Sequence, residues 1–329
     1  MIVRNRLRAW SIATVVMGAV VVGAVAAAGA GGGVVDGDAA AFLLREGVVV
    51  SADREVLFTQ RAAGGVAAID SATGAVRWSS KLAAEPVAVR GELLVARVES
   101  DDQLVLVLLE AASGRQRAKL EAPLPAGVRG LIDDRLGERF SLRALPGGSE
   151  LRLVWHFVSE QVAAAVAMDG VPIGGSRDQR QGAFLVDLVQ QTVSPAGAPE
   201  TRLPVASFDE LTAEQALPGL DGRQFSSADG RSVLLSRVEA TGDEDRYLWQ
   251  IHARDDGDRL GSLMAPVSVA PFFVSGSRLV FESGLAIRHL GEGRLEVDAL
   301  ALLGVDVPSG VEQWRLEIRD TAYRGPFPP

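Results

Sequence analysis

The sequence predicts an all-β protein built from repeated four-stranded units and preceded by one N-terminal membrane segment. Two observations predict the repeated strands: the 329 residues include 36 glycines between short apolar runs, and one apolar–acidic–glycine motif recurs along the chain. Short apolar runs separated by glycine are typical of strands joined by tight turns. A third observation, a charge-free run behind an arginine cluster, predicts the membrane segment.

The N-terminus is predicted to hold the chain at a membrane. Arg4, Arg6 and Arg8 precede a run at 10–33 that contains no charged residue. About 20 apolar residues in a helix cross a bilayer core, and arginines before them stay in the cytoplasm. We therefore expect an uncleaved anchor with the rest of the chain outside the cytoplasm. Cleavage at the small residues 24–28 is the alternative, and it exports the same domain.

A motif of the β-hairpin type recurs at 66–78, 106–118 and 301–314. Each copy has an apolar run, an acidic residue, Ser or Thr followed by Gly, and a second strand-like run. We expect the acid to bond backbone amides of the turn and the glycine to supply a positive φ. In the first and third copies a tryptophan is expected to fill the space between neighbouring sheets. These structural roles fall on Asp70, Gly74, Trp78, Glu110, Gly114, Asp306, Gly310 and Trp314.

The spacing of the motifs predicts a β-propeller. The first two copies are about 40 residues apart, the length of one four-stranded blade. Weaker copies at 140–157, 183–193 and 247–260 raise the count to six blades, and five to eight are compatible with the insertions between them. The insertions are predicted at 166–181, 196–222 and 284–297, the second with a short helix at 209–216. The propeller at 36–320 then lies between the membrane segment at 1–35 and a tail at 321–329.

The two ends of the repeat domain are expected to close the propeller. A propeller protects its edges when a strand from one chain end joins the sheet formed by the other end. We therefore expect the strand-like segment at 42–50 beside the strand at 315–319. The tail at 321–329 is rich in proline, which lacks the N–H needed to extend a sheet.

These repeats resemble those of the PQQ-like, BamB-like family of β-propellers. In that family a strand ending in Leu-Asp is followed by Thr-Gly and then by a strand that contains Trp. The units at 66–78 and 301–314 match the pattern well and 106–118 matches it in part, and the resemblance covers residues 42–318. It implies the propeller fold, and it leaves the activity open because the family holds both enzymes and scaffolds.

Composition and spacing argue against several kinds of site. The formal net charge of −9 repels phosphate backbones, so we expect no nucleic-acid partner. The chain has no cysteine, which excludes a disulfide and a thiolate metal site. His156, His252 and His289 lack metal-ligand spacing, and the acids at 243–245 and 255–258 lack the spacing of a calcium loop. We therefore predict no catalytic residue, no cofactor and no metal.

Together these observations favour a scaffold that is not an enzyme. We expect a membrane-tethered, extracytoplasmic propeller that binds other proteins as an accessory subunit of a membrane or envelope complex. One alternative is a PQQ-dependent or other propeller enzyme, which by resemblance would hold PQQ over a tryptophan floor beside calcium. The other alternative is a soluble periplasmic assembly factor, released when the N-terminal segment is cleaved.

Overall fold

The computed structural model describes the repeat domain from its first strand to its last. The described residues are 41–98, 100, 103–124, 139–145, 150–158, 181–197, 210–241, 244–265, 267–283, 287–291, 294–297 and 299–318. The predicted membrane segment at 10–33, nearly all of the insertion at 166–181 and the tail at 321–329 lie outside them. Within these ranges no helix is long and apolar enough to cross a membrane.

The described chain is all-β, and its strands form five antiparallel sheets that follow one another along the sequence. Sheet 1 has five strands: β1 (Phe42–Arg45), β2 (Val48–Val50), β3 (Val56–Gln60), β4 (Val66–Asp70) and β5 (Val76–Ser80). Sheet 2 has four: β6 (Glu85–Arg90), β7 (Leu93–Val98), β8 (Gln103–Glu110) and β9 (Gln116–Pro123).

The other three sheets have four strands each. Sheet 3 contains β10 (Arg139–Ala144), β11 (Leu151–Val158), β12 (Gln181–Asp187) and β13 (Thr192–Ala196). Sheet 4 contains β14 (Arg223–Ser226), β15 (Ser232–Thr241), β16 (Glu244–Ala253) and β17 (Arg259–Ala265). Sheet 5 contains β18 (Phe272–Ser275), β19 (Arg278–Glu282), β22 (Ala301–Asp306) and β23 (Val311–Glu317), and a separate ribbon of β20 (Ile287–Gly291) and β21 (Arg294–Val297) lies between β19 and β22 in the chain.

The pattern of side chains along a strand follows from its place in the sheet. The third strand of sheet 2, β8, reads QLVLVLLE and is buried at every position from Leu104 to Leu109. A continuous apolar run of this kind fits a strand that is covered on both faces. The outermost strand, β9, reads QRAKLEAP, and it exposes charged side chains such as Arg117 and Lys119. Charges on an outer strand discourage pairing with another chain.

Neighbouring sheets pack face to face, and the last sheet packs against the first. Buried clusters join sheet 1 to sheet 2, sheet 2 to sheet 3, sheet 4 to sheet 5 and sheet 5 to sheet 1. The five sheets therefore follow one another in an arc from sheet 4 through sheets 5, 1 and 2 to sheet 3. This is the arrangement of blades in a β-propeller. Large members of these clusters are Phe58 and Leu94, Leu106 and Phe184, Trp249 and Phe281, and Leu44 and Phe273.

The favoured count of six blades is not met, because two of the predicted units belong to one sheet. The unit at 140–157 forms β10 and β11, and the unit at 183–193 begins with β12. β11 pairs directly with β12, with Leu153 opposite Phe184. The described residues therefore hold five blade-like sheets, one of five strands and four of four strands, which is the lower limit of the predicted range.

The expected pairing between the chain ends is also replaced by a local one. The segment at 42–50 folds on itself, with β1 paired to β2 and Phe42 opposite Val50. β23 pairs with β22, and one isolated bridge between Arg61 and Ile318 joins sheet 1 to the end of the described chain. The two ends still share a core, because Leu44 and Ile318 lie in the same buried cluster.

The insertion at 196–222 has no helix in its described part. Residues 210–222 form turns, and the N–H of Ala216 donates to the carbonyl of Thr212 at 2.9 Å without further helical turns. The buried side chain of Gln224 fastens the segment to sheet 4, because its Oε1 accepts the N–H of Leu217 and its Nε2 donates to the carbonyl of Leu220. The predicted helix at 209–216 is therefore a single turn in the described residues.

Candidate functional site

One end of the propeller carries an outer hairpin turn from each sheet and an inner hairpin turn from sheets 1, 2, 4 and 5, and we call this end the turn face. In sheet 1 the inner turn at 51–55 joins β2 to β3, and the outer turn at 71–75 joins β4 to β5. Both lie at the same end because successive strands are antiparallel. In sheets 2, 4 and 5 the inner turn joins the first two strands, and in sheets 2 to 5 the outer turn joins the last two. The outer turns of those sheets lie at 111–115, 188–191, 254–258 and 307–310.

The outer turns are built around an acidic residue and a residue with positive φ four positions later. In sheet 1 the Oδ1 of Asp70 accepts the N–H groups of Ala72 and Thr73 at 3.1 and 2.9 Å. The N–H of Gly74 donates to the carbonyl of Asp70 at 2.8 Å, and Gly74 has φ +70°. The same N–H to C=O bond is 2.8 Å in sheets 2 and 5, and it joins Gly114 to Glu110 and Gly310 to Asp306.

Sheets 3 and 4 keep this turn with altered residues. In sheet 3 Asp187 accepts the N–H groups of Val189 and Gln190, and Gln191 has φ +55° at the position that glycine holds elsewhere. In sheet 4 Ala253 stands at the acidic position, and its carbonyl accepts the N–H of Gly257 at 3.1 Å. Sequence reasoning missed the role of Gln191. The signal was its place four residues after an acid that ends a strand.

Two tryptophans dock one sheet onto the outer turn of the next. Nε1 of Trp78, on β5 of sheet 1, donates to the carbonyl of Ala111 in sheet 2 at 2.8 Å. Nε1 of Trp314, on β23 of sheet 5, donates to the carbonyl of Ser71 in sheet 1 at 3.1 Å. The rings lie so close to Gly114 and Gly74 that a Cβ on either glycine would overlap them. Each of these glycines therefore allows both the turn conformation and the approach of a ring.

The interface between sheets 2 and 3 and the interface between sheets 4 and 5 have no tryptophan at the corresponding position, four residues after the turn glycine. In sheet 2 the position is Ala118, which packs against the core shared with sheet 3. In sheet 4 it is Gly261, whose backbone approaches the carbonyl of Val307 in sheet 5 so closely that no side chain fits. The tryptophan joints are therefore confined to the two interfaces of sheet 1.

A repeated backbone bond ties the outer turn to the inner turn of the same sheet in sheets 1, 2, 4 and 5. The N–H of Ser71 donates to the carbonyl of Glu55 at 3.0 Å, and the N–H of Ala111 donates to the carbonyl of Glu92 at 2.8 Å. The carbonyls of Ser71 and Ala111 also accept the docked tryptophans. One residue thus links the inner turn, the outer turn and the preceding sheet. The corresponding pairs in sheets 4 and 5 are Arg254 with Arg231 and Val307 with Ser277.

An ion pair on the turn face joins two sheets that are not neighbours. Nε of Arg54, in the inner turn of sheet 1, lies 2.9 Å from Oδ2 of Asp229, in the inner turn of sheet 4. The guanidinium crosses sheet 5 on the way, where Nη1 lies 3.4 Å from the carbonyl of Val274. The Asp229 carboxylate is 6% exposed, and Arg54 has φ +63°. A largely buried pair held by a residue in the left-handed region fixes the inner turns relative to one another.

Three acids of the outer turns, Asp70, Glu110 and Asp306, have a lowered pKa. Hydrogen bonds from Arg115 and Ser113 lower the pKa of Glu110 from its ordinary value of 4.5 to about 2. The hydrogen bond from Arg77 lowers the pKa of Asp70, and the bond from Ser309 lowers the pKa of Asp306. The hydrogen bonds that cause these shifts lie within the turns, and two of these turns accept a tryptophan from a neighbouring sheet.

β1 lies on the inner side of the ring. This extra strand lies at the inner edge of sheet 1, and it contacts β6, the first strand of sheet 2. On its other side Phe42 meets Phe273 of β18 edge to face, with 5.6 Å between ring centroids. Arg45 pairs with Glu282 of sheet 5 at 2.8 Å. The inner strands of sheets 1, 2 and 5 are thus packed around β1.

Exposed apolar side chains lie beside four of the outer turns. Val189 in sheet 3 is 93% exposed, and Val311 at the start of β23 is 54% exposed. Val76 in sheet 1 and Leu260 in sheet 4 occupy similar places next to their turns. Other exposed apolar residues of the described ranges, Leu82, Val238 and Met264, lie towards the opposite end.

The outer turn of sheet 4 also carries three carboxylates without a basic partner in the described chain. Asp255 and Asp256 accept only backbone N–H groups of their own turn. Asp258 follows them, while the neighbouring Arg259 donates to Ser262 instead. This turn is therefore a local excess of negative charge next to the exposed Leu260.

The histidines form no metal site in the described residues. His252 is buried in β16, and its Nδ1 lies 3.0 Å from the carbonyl of Gly257. The side chains of His156 and His289 lie outside the described set. No group of three or more potential metal ligands occurs in the part of the chain that the structure describes.

Comparison with models of protein families gives no match, and comparison with curated proteins gives none either. Solved structures with similar repeats include BamB from Moraxella catarrhalis, with 14% identity over 69% of this chain and 76% of that chain at a TM-score of 0.25. Hydrazine synthase from Kuenenia stuttgartiensis has 11% identity over 79% of this chain at a TM-score of 0.28. This chain spans 62% of that protein.

A europium-containing methanol dehydrogenase is a further similar structure, with 9% identity over 85% of this chain and 72% of that chain at a TM-score of 0.27. These proteins include enzymes as well as BamB. At such identities and TM-scores their activities are not transferred to this chain.

Proposed function

We propose that the chain is a scaffold without enzymatic activity: an exported, membrane-tethered propeller of the PQQ-like, BamB-like type that binds other proteins through its turn face. The observation that carries this proposal is β1. A propeller that binds a small ligand places it over the middle of the ring, and here Phe42, Leu44 and Arg45 pack there against neighbouring strands. Binding then falls to the outer surface.

The structural contacts already made by the motif residues support the same proposal. Trp78 and Trp314 are docked on neighbouring sheets, and Gly74 and Gly114 admit their rings. The turn acids are bonded within their own turns. The turn face therefore presents a rigid set of exposed side chains to a partner. These side chains are apolar beside four turns and acidic in the outer turn of sheet 4. Rigid exposed groups of mixed character suit protein recognition.

The N-terminal sequence supports the proposed tether. The run at 10–33 carries no charge and follows three arginines. A helix of this length spans a bilayer and leaves the propeller on the extracytoplasmic side. We propose that the segment stays uncleaved, and that the protein is an accessory subunit of a membrane complex.

The test is extraction of the tagged full-length chain from its native membranes in mild detergent, followed by intact mass spectrometry and quantification of co-purifying chains. We expect the mass of residues 1–329 and a membrane protein at fixed stoichiometry. A matched pair of variants sharpens the test: Val189→Asp on the turn face should lose the partner, and Leu82→Asp at the opposite end should retain it. Both side chains are exposed, so neither change disturbs the core.

Two results contradict the proposal. A chain shortened near residue 28 and recovered alone in the aqueous fraction is a soluble periplasmic protein. An intact chain that reaches the membrane and purifies alone, with both variants unchanged, is anchored but does not act as a scaffold.

A further inference from the structure

We infer that the turn face is directed towards the membrane, where it docks on the extracytoplasmic surface of a membrane-embedded protein. This inference deepens the proposed function and rests on its tether. It concerns which side of the propeller meets the partner and what the partner offers. The observations behind it are the position of β1, the length of chain before β1 and the charge of the outer turns.

The described chain begins at the turn face and ends at the opposite one. Phe42 pairs with Val50, which directly precedes the inner turn at 51–55. β1 then runs away from the turn face to Arg45. β23 starts at the outer turn of sheet 5 and also runs away from the turn face, so that Ile318 lies at the opposite end. The N-terminal segment therefore enters at the turn face.

The entry point is also central in the ring. β1 is the inner edge of sheet 1, and Phe42 contacts Phe273 on the first strand of sheet 5. A chain that enters there reaches the opposite end over sheet 1 by crossing its other four strands on the turn face and descending its outer edge. Four strand spacings of about 4.8 Å and a strand of five residues at about 3.3 Å each make that path about 36 Å long.

The linker that follows the proposed membrane segment is shorter than that path. With that segment at 10–33, residues 34–41 link it to Phe42. Eight residues span at most about 28 Å when fully extended, at about 3.5 Å each. With the membrane segment at these bounds, a linker of this reach favours an orientation with the turn face towards the bilayer.

The charge of the turn face selects a protein over lipid as its partner. Asp255, Asp256 and Asp258 have no basic partner in the described chain, and the whole sequence carries a net charge of −9. Anionic headgroups repel such a surface. A protein surface with Lys or Arg opposite the sheet 4 turn and apolar side chains opposite Leu260 and Val311 complements it. The partner is therefore a protein with basic and apolar extracytoplasmic residues.

The experiment uses single cysteines, because the natural chain has none. Val189→Cys and Val311→Cys place thiols on the turn face, and Leu82→Cys places one at the opposite end. The rate of labelling by a polyethylene glycol maleimide is measured for the full-length protein in three states. These are native membranes opened to the reagent, liposomes of neutral and anionic phospholipid, and detergent solution.

We expect both turn-face thiols to react at least tenfold more slowly in native membranes than in detergent, and at the detergent rate in liposomes. The Leu82→Cys thiol should react equally in all three states. Replacing the three aspartates by asparagine should return the Val311→Cys rate in native membranes towards the detergent value, because the charge attraction to the partner is lost.

Other outcomes overturn the inference in distinguishable ways. Protection in liposomes as well means that lipid, not protein, covers the turn face. Protection of Leu82→Cys alone means that the propeller is oriented the other way. Equal rates everywhere mean that the tethered propeller docks on nothing. Release of the chain from membranes by an alkaline wash is a different failure, since it removes the tether and with it the proposed function.

Discussion

Comparing alanine substitutions at two turn glycines should separate two contributions to stability: the backbone strain of the turn and the docking of a tryptophan ring. Gly74 and Gly257 hold the same position in sheets 1 and 4, with φ +70° and +77°. A Cβ on Gly74 would lie 2.6 Å from Cγ of Trp314, whereas a Cβ on Gly257 would meet nothing within 4 Å. Gly74→Ala and Gly257→Ala therefore impose the same backbone strain, and only the first displaces a ring.

The expected magnitudes differ by more than the error of the measurement. A non-glycine residue in the left-handed region costs about 1–2 kcal/mol, which is the whole cost expected for Gly257→Ala. Gly74→Ala adds the loss of the Trp314 contact. That loss has an upper bound of about 3–5 kcal/mol, the usual cost of removing a buried tryptophan side chain. Losing only the bond from Nε1 to Ser71 adds about 1 kcal/mol.

The assay is urea unfolding of the purified protein followed by far-UV circular dichroism, with both variants compared with the natural chain. We expect Gly74→Ala to be less stable than Gly257→Ala by about 1–4 kcal/mol. Trp314→Phe provides a check, because Gly74→Ala should cost less in that background than in the natural chain. Equal destabilisation by the two alanine variants would show that the glycine serves the turn alone.

Three further predictions concern other turns and the middle of the ring. Gln191→Gly should stabilise the protein by about 0.5–1 kcal/mol, because glycine adopts a positive φ without strain, although it loses some chain entropy on folding. The midpoints of urea unfolding measure this difference, and Gln190→Gly is the control variant. Arg115→Gln should raise the pKa of Glu110 from about 2 towards 4.5, measured by carboxyl NMR. Since folding lowers that pKa, the stability from this bond is present above pH 4.5 and is lost as the pH falls towards about 2. Incubation with PQQ and calcium should leave no quinone absorbance on the protein, and a stoichiometric bound quinone would favour the enzyme alternative.

Local features of the turns were readable from the sequence because they depend on few neighbouring residues. The hydrogen bond from the N–H of Gly74 to the carbonyl of Asp70 closes a turn of five residues. The acid, the hydroxyl residue and the glycine of that turn predict it from the sequence. Gln191 adopts the same positive φ although it is not glycine. Its residue type does not indicate this conformation, but its position four residues after Asp187 does. The five turns thus share one backbone conformation. Glycine marks the positive-φ position in four of them, and in sheet 3 only the position of Gln191 after Asp187 indicates it.

Pairing between strands was less predictable, because it depends on which partner is nearest. The segment at 42–50 was expected to join the C-terminal strand, and it pairs with itself around Gly47, which has φ +80°. A hairpin with a two-residue turn closes a far shorter loop than a contact across the whole domain. The same preference for the nearest partner placed 140–157 and 183–193 in one sheet and reduced the number of blades.

The distribution of joints gives sheet 1 a special place in the ring. Trp78 docks it on sheet 2, Trp314 docks sheet 5 on it, and Arg54 ties it to sheet 4. The joints further round the ring rely on Ala118 and Gly261 instead. Sheet 1 is also the sheet that contains β1, where the N-terminal segment enters. Under the proposed tether this strand holds the propeller, and a tryptophan docks each of the two interfaces of the sheet that contains it.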